Sequence, residues 1–133
     1  MAKKAKSSNK SKLSALVVDD DGVCRTVHCA FLRRHGFETS SVESGRQAVD
    51  LIRSGQKFDA IFMDIMMPEM NGVQATRALR AMGVKSMIIG IDCDLDYINE
   101  DFMQAGMDRV YEKPMTSEIA ISVHQALLNN NIV

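Results

Sequence analysis

The chain has 133 residues, 46% of them hydrophobic and 25% charged, with two prolines and eight glycines. That composition excludes collagen-like, mucin-like and wholly disordered chains and predicts one globular domain, long enough to fold without metal or disulfides. The net charge of -1 argues against a dedicated nucleic-acid binder, yet it hides a division: residues 1–12 hold five lysines and no acid, whereas residues 13–133 hold 11 basic against 17 acidic groups.

Residues 1–12, rich in Lys, Ser, Ala and Asn, have nothing apolar to bury and read as a basic disordered tail ahead of a domain spanning 13–133. Leu13–Val18 is an apolar run that predicts a strand covered on both faces, and Asp19-Asp20-Asp21 ends it. A helix follows, with Val23, Val27, Ala30 and Phe31 on one face and a stop near His35-Gly36. Phe37–Ser41 reads as the second strand, and Ser44-x-x-Gln47 opens the second helix with the spacing of a capping box. The third strand is Phe58–Met63, and Asn71-x-x-Gln74 marks the next helix start. Ser86–Ile91 is the fourth strand, followed by a helix carrying Leu95, Ile98, Phe102 and Ala105 before Gly106. Asp108–Tyr111 is the fifth, and Ile119, Val123 and Leu127 fall at helical spacing in the last helix.

Five strands alternating with five helices imply an α/β fold with a doubly wound parallel sheet, because right-handed crossovers return the chain in one direction. Ligands in such sheets bind outside the carboxyl ends of the strands. Asp19, Asp20 and Asp21, then Asp64, then Asp92, then Glu112, Lys113 and Pro114 follow strands one, three, four and five. Carboxylates about 4 Å apart repel by roughly 4 kcal/mol per pair at an effective dielectric near 20, so the set predicts a divalent-cation site. All-oxygen ligands suit Mg2+ or Mn2+, and Mg2+ pairs naturally with a phosphoryl group, for which Lys113 adds positive charge.

Other features are assigned no site. Cys24, Cys29 and Cys93 lack disulfide or zinc spacing and read as reduced thiols. His28, His35 and His124 read as structural or surface residues, the methionines as core and loop filling, and Asp94, Asp96, Glu100 and Asp101 as complements to a helix dipole. No apolar run spans a bilayer, and no Gly-rich nucleotide loop follows any strand. The acid that a haloacid-dehalogenase-type phosphatase places two residues after its nucleophile is here Met66.

Leu16-Val17-Val18-Asp19-Asp20-Asp21, Phe62-Met63-Asp64-Ile65-Met66-Met67-Pro68-Glu69-Met70-Asn71-Gly72 and Glu112-Lys113-Pro114, in that order, resemble the receiver domain of two-component response regulators, most of all the plant type-C, stand-alone kind. The resemblance covers about residues 13–130. It implies the flavodoxin-like (βα)5 receiver fold, with Asp64 as phosphoacceptor from a phosphohistidine on a phosphotransfer protein, itself fed by a hybrid histidine kinase. Asp20 would bind Mg2+ directly, Asp19 mainly through water, and the backbone carbonyl of Met66 would complete the site. Lys113 would contact the phosphoryl group, its peptide to Pro114 being cis. The implied setting is a plant-type relay with cytokinin or osmotic input, in which a monomer without DNA binding acts as a sink or modulator. A cytoplasmic location is expected, with nuclear entry open. The chain's limits, from Met1 to just past the last helix, favour a free-standing receiver over a piece of a hybrid kinase.

Two positions depart from that family. Where receivers carry a Ser or Thr after strand four, this chain has Asp92, and the inward-turning aromatic three residues before the lysine is Val110, with Tyr111 expected on the other face of the strand. An ionised Asp92 would repel a phosphoryl group and shorten or weaken phosphorylation; a protonated one would donate a hydrogen bond as the hydroxyl does, or Asp92 would bind the metal. The alternative function is therefore a phosphorylation-independent pseudo-receiver that acts as a protein-interaction module.

Overall fold

The computed structural model describes residues 12–94, 96 and 100–132. Apart from Lys12, the basic tail lies outside them, as do Leu95 and Ile98. The elements are β1 (Leu13–Val18), α1 (Gly22–Arg34), β2 (Phe37–Val42), α2 (Gly45–Arg53), β3 (Ala60–Asp64), α3 (Gly72–Ala81), β4 (Met87–Asp92), α4 (Glu100–Ala105), β5 (Arg109–Glu112) and α5 (Ser117–Ile132). All four strand pairings are parallel, in the order β2-β1-β3-β4-β5. The (βα)5 reading therefore holds, and the strand order reverses between β1 and β3, where Asp19 and Asp64 emerge. Asp64 and Asp92 are the last residues of their strands instead of the first beyond them.

The period-two alternation of the strands divides the core between the two sheet faces. Ala15, Val17, Ala60, Phe62, Ile89 and Ile91 pack with Cys29 and Leu32 of α1 and Val123 and Leu127 of α5. Leu16, Val18, Ile61, Met63 and Ile88 pack on the other face with Ala48 of α2, Ala75 and Leu79 of α3, and Phe102 of α4. Val110 lies with this second face and Tyr111 with the first, the opposition expected for adjacent strand residues.

The face of α1 differs from the sequence expectation. Its buried residues are His28, Cys29 and Leu32, whereas Val23 is 74% and Val27 42% exposed; Ala30 is exposed and Phe31 half-buried. Of the expected stripe only Phe31 packs against the core, and the valines at its start face solvent. Both anticipated caps form, with a difference. Asn71 and Gln74 exchange side-chain and backbone bonds in a full capping box, while Gln47 reaches past Ser44 to accept from the Glu43 N–H at 2.7 Å. Among the described residues no helix is long and apolar enough to cross a membrane.

Candidate functional site

β1 and β3 deliver Asp19 and Asp64 to adjacent strand ends, where they are 2% and 5% exposed. Asp20 is exposed beside them, and one oxygen from each of the three carboxylates lies within 4.8 Å of the others. The Asp19-Asp20-Asp21 run separates into three tasks. Asp19 Oδ1 accepts from the Asp21 N–H at 2.9 Å and its Oδ2 faces Lys113 Nζ at 3.0 Å. Asp21 turns away to cap α1, accepting from the Val23 and Cys24 N–H groups, which holds its carboxyl below the usual carboxylate range. That leaves Asp20 open.

Lys113 arrives from β5 across the site, its Nζ 3.3 Å from Asp64 Oδ1 as well, and the Lys113-Pro114 peptide is cis. Burial, then the charge of Asp19, pushes the Asp64 carboxyl up to about 7 against the pull of Lys113. Burial works against the ammonium of Lys113, but its contacts with Asp19 and Asp64 outweigh burial and raise its pKa. One ammonium thus serves several carboxylates, and the acids retain an excess of negative charge. That excess, on all-oxygen donors, fits a hard divalent cation held by Asp19, Asp20 and Asp64.

The loop after Asp64 is fixed by close backbone approach. A Cβ on Gly72 would collide with the Asp64 carbonyl oxygen and sit 2.8 Å from Ile65 Cα, and the Gly72 N–H donates to Ile65 O at 2.8 Å. Only glycine lets α3 begin against the Asp64 turn. Met66, whose carbonyl was expected in the metal site, follows Asp64 by two residues and is 62% exposed.

Asp92 is 1% exposed. Its Oδ1 accepts from the Cys93 N–H at 2.8 Å, whereas Oδ2, equally buried, has no hydrogen-bond partner. Asp92 stays outside the three-carboxylate cluster, which does not favour its role as a metal ligand. Val110 is half-buried, and Tyr111 is held by Arg109, whose Nη1 donates to its hydroxyl at 3.1 Å.

Three residues without an assigned role also converge here. Arg25 Nη1 donates to the Asp19 carbonyl at 2.8 Å, and Cys24 Sγ lies 3.9 Å from Lys113 Nζ. His28 is 4% exposed; burial holds its pKa below the usual imidazole value, against the nearby charge of Asp19. The signal in the sequence is helical spacing, since His28 lies four residues after Cys24 and three after Arg25 in α1.

The chain was compared with known proteins. The family model of the response regulator receiver domain matches residues 15–123. Two-component response regulator 24 of Arabidopsis thaliana is 44% identical over 114 residues, which cover 85% of this chain and 82% of that protein. A CheY-like receiver domain from Methylobacillus flagellatus superposes with a TM-score of 0.81 over 88% of this chain and 99% of that one, at 23% identity. The receiver domain of the histidine kinase CKI1 from Arabidopsis thaliana, solved with Mg2+ and BeF3-, is 32% identical, with a TM-score of 0.72 and coverage of 88% of this chain and 90% of that one. Strand order, the acidic edge facing one lysine and a match over most of the length agree, and the chain belongs to the response regulator receiver domain family.

Proposed function

We propose that Asp64 accepts a phosphoryl group from a phosphohistidine on a histidine-containing phosphotransfer protein. The observation that carries this reading is the buried Asp64 carboxylate facing Lys113 at 3.3 Å, with Asp19 and Asp20 alongside. A carboxylate oxygen of Asp64 attacks phosphorus as the P–N bond to the donor imidazole breaks. Lys113 compensates charge on the transferring group and orients the Asp64 carboxylate. Asp19, Asp20 and Asp64, with the Met66 carbonyl, would hold Mg2+, which supplies further charge neutralisation when bound; the relative solved with Mg2+ and BeF3- supports that choice. Exposed Val23 and Val27, on the first turns of α1 beside the acids, suit a protein donor. The plant response regulator among the relatives supports a plant-type relay, with cytokinin or osmotic input and a role as sink or modulator.

A second reading, a pseudo-receiver that binds partners without being phosphorylated, is favoured by Asp92, whose buried Oδ2 offers a phosphoryl group no donor. Transfer from a 32P-labelled phosphotransfer protein with Mg2+ separates the two. The relay reading expects label, or loss of donor phosphate, with wild type and neither with Asp64→Asn. No transfer to wild type together with label on Asp92→Thr would overturn it in favour of the pseudo-receiver. Transfer to Asp64→Asn would remove the phosphoacceptor assignment.

A further inference from the structure

We propose that the amino-terminal edge of the sheet, opposite Asp64, is a second interaction surface that takes an acidic polypeptide segment with interspersed apolar residues from a partner protein. Two adjoining hollows lie there, between the α2–β3 and α3–β4 turns and beneath the start of β1, and they share Ser14, Gln56, Lys57 and Phe58. Lys12, Arg33, Arg53, Lys57 and Lys85 line them, and all five are exposed. In a domain of net -6 this is a concentration of positive charge at one end, with the acids of the receiver site at the other.

Of the three carboxylates that line the hollows, Glu38 is exposed at the margin of the second, whereas Asp59 and Asp108 are engaged. Asp59 Oδ2 accepts from the Ser14 N–H at 2.8 Å and its hydroxyl at 3.2 Å. Asp108 Oδ2 accepts from the Ile88 N–H and from Arg80, each at 2.9 Å. Asp50 pairs with Arg53 at 3.5 Å in a solvated contact, which leaves Lys12, Lys57 and Lys85 with no carboxylate within ion-pair distance among the described residues.

The occupant follows from charge and from the floor. The chain's own tail does not suit the rim, because its lysines carry the same charge. Half-buried Ile52, Phe58, Val84 and Met87 form an apolar floor between the cations. A nucleic acid would meet basic charge here but only one partly accessible aromatic ring on which to stack. A segment that places Asp or Glu on the rim and Leu or Phe on the floor satisfies both features. β3 alone separates this edge from Asp64 by about 13 Å, so a segment bound here leaves the receiver site free.

The test is fluorescence anisotropy with the full chain and a labelled sixteen-residue peptide that alternates pairs of glutamates with single leucines, at about 150 mM salt, where exposed charges are screened beyond about 8 Å. Binding is expected, weakened about tenfold by Lys57→Glu with Lys85→Glu and severalfold when leucine-free polyglutamate replaces the peptide. Alanine at Lys3, Lys4, Lys6 and Lys10 is expected to cost less than the double reversal. Unchanged thermal melts control for folding. Absence of binding up to about 1 mM peptide overturns the proposal, as does loss through the tail variant alone. Equal or tighter binding of a thymidine oligonucleotide or of phosphatidylserine vesicles, with the same residue dependence, overturns the choice of partner.

Discussion

The main-chain N–H of Lys113 donates to the carbonyl oxygen of Asp92 at 2.7 Å, which ties the lysine of the receiver site to the residue that departs most from the family. The same Asp92 buries Oδ2 without a partner. An unsatisfied buried acceptor costs about 1–3 kcal/mol. Threonine keeps an oxygen near the Cys93 N–H and removes the orphan. Asp92→Thr is expected to unfold in urea with about 1 kcal/mol more stability than wild type at neutral pH. A loss of that size would show that the Oδ1 bond to the Cys93 N–H contributes more than the orphaned oxygen costs.

The position of Asp64 makes stability depend on pH. Its carboxyl is pushed from the usual 3.8 up to about 7, first by burial and then by Asp19. A folded-state value above the unfolded one means that the native state holds the proton more tightly. The stability linked to this group is therefore complete below the unfolded value and is lost as pH rises toward 7. Each unit is worth about 1.4 kcal/mol, and relaxation at a partly open strand end reduces the sum to about 1–3 kcal/mol. Asp64→Asn is expected to exceed wild type by that amount at pH 8 and to match it near pH 4. A variant less stable than wild type at pH 8 would show that the Lys113 pairing outweighs burial.

A divalent cation relieves the same strain between charges. If Asp19, Asp20 and Asp64 hold Mg2+, the ion stabilises the native chain by about 1.4 kcal/mol at ten times its dissociation constant. Because burial and Asp19 push the Asp64 carboxyl up to about 7, Mg2+ competes with a proton at lower pH, and its affinity is expected to fall from pH 8 to pH 6. Calorimetric titration at the two pH values reads the change, and thermal melts of Asp20→Asn are expected to show little response to Mg2+. Equal affinity at both pH values would count against Asp64 as a ligand.

The order of elements and the acidic edge were legible because parallel strands covered on both faces read as short apolar runs, and chain connectivity places their ends together. The phase of α1 was not. Val23 and Val27 are more apolar than Arg25 and His28, yet Arg25 is directed inward by the Asp19 carbonyl, and His28 is buried beside the site. Such placements depend on groups brought in from β1 and β5, which no local period records. Asp92 was recognisable by position, but its orphaned oxygen is visible only once the fold surrounds it.

The loop between Asp64 and α3 stores strain at one residue. Glu69 has φ +66, a left-handed conformation that costs a side-chain-bearing residue about 1 kcal/mol. Glycine removes that cost but gains freedom in the unfolded chain. Glu69→Gly is expected to be neutral to about 1 kcal/mol stabilising, and Glu69→Val to lose more than 1 kcal/mol because β-branching disfavours positive φ further. Urea unfolding of the pair measures both. Equal stability of the two variants would show that the loop relaxes freely.

Arg80 supplies the strongest expected loss at the edge remote from Asp64. Its Nε donates to Gly106 O at 3.0 Å and its Nη1 to Val84 O at 2.8 Å and Ser86 O at 2.9 Å. Nη2 pairs with Asp108 Oδ2 at 2.9 Å, and the same oxygen accepts from the Ile88 N–H. One guanidinium therefore joins the end of α3, the turn into β4 and the α4–β5 turn, satisfying three carbonyls that lack another assigned side-chain donor. Its side chain is 25% exposed, so the ion pair itself counts for little, and the bonds to carbonyls carry the effect. Arg80→Ala is expected to lose about 2–4 kcal/mol, less than the sum over the bonds because they share one side chain. Arg80→Lys is expected to lose nearly as much, since a point ammonium cannot reproduce the fork. If lysine restored most of the stability, charge rather than directed hydrogen bonding would be what Arg80 provides.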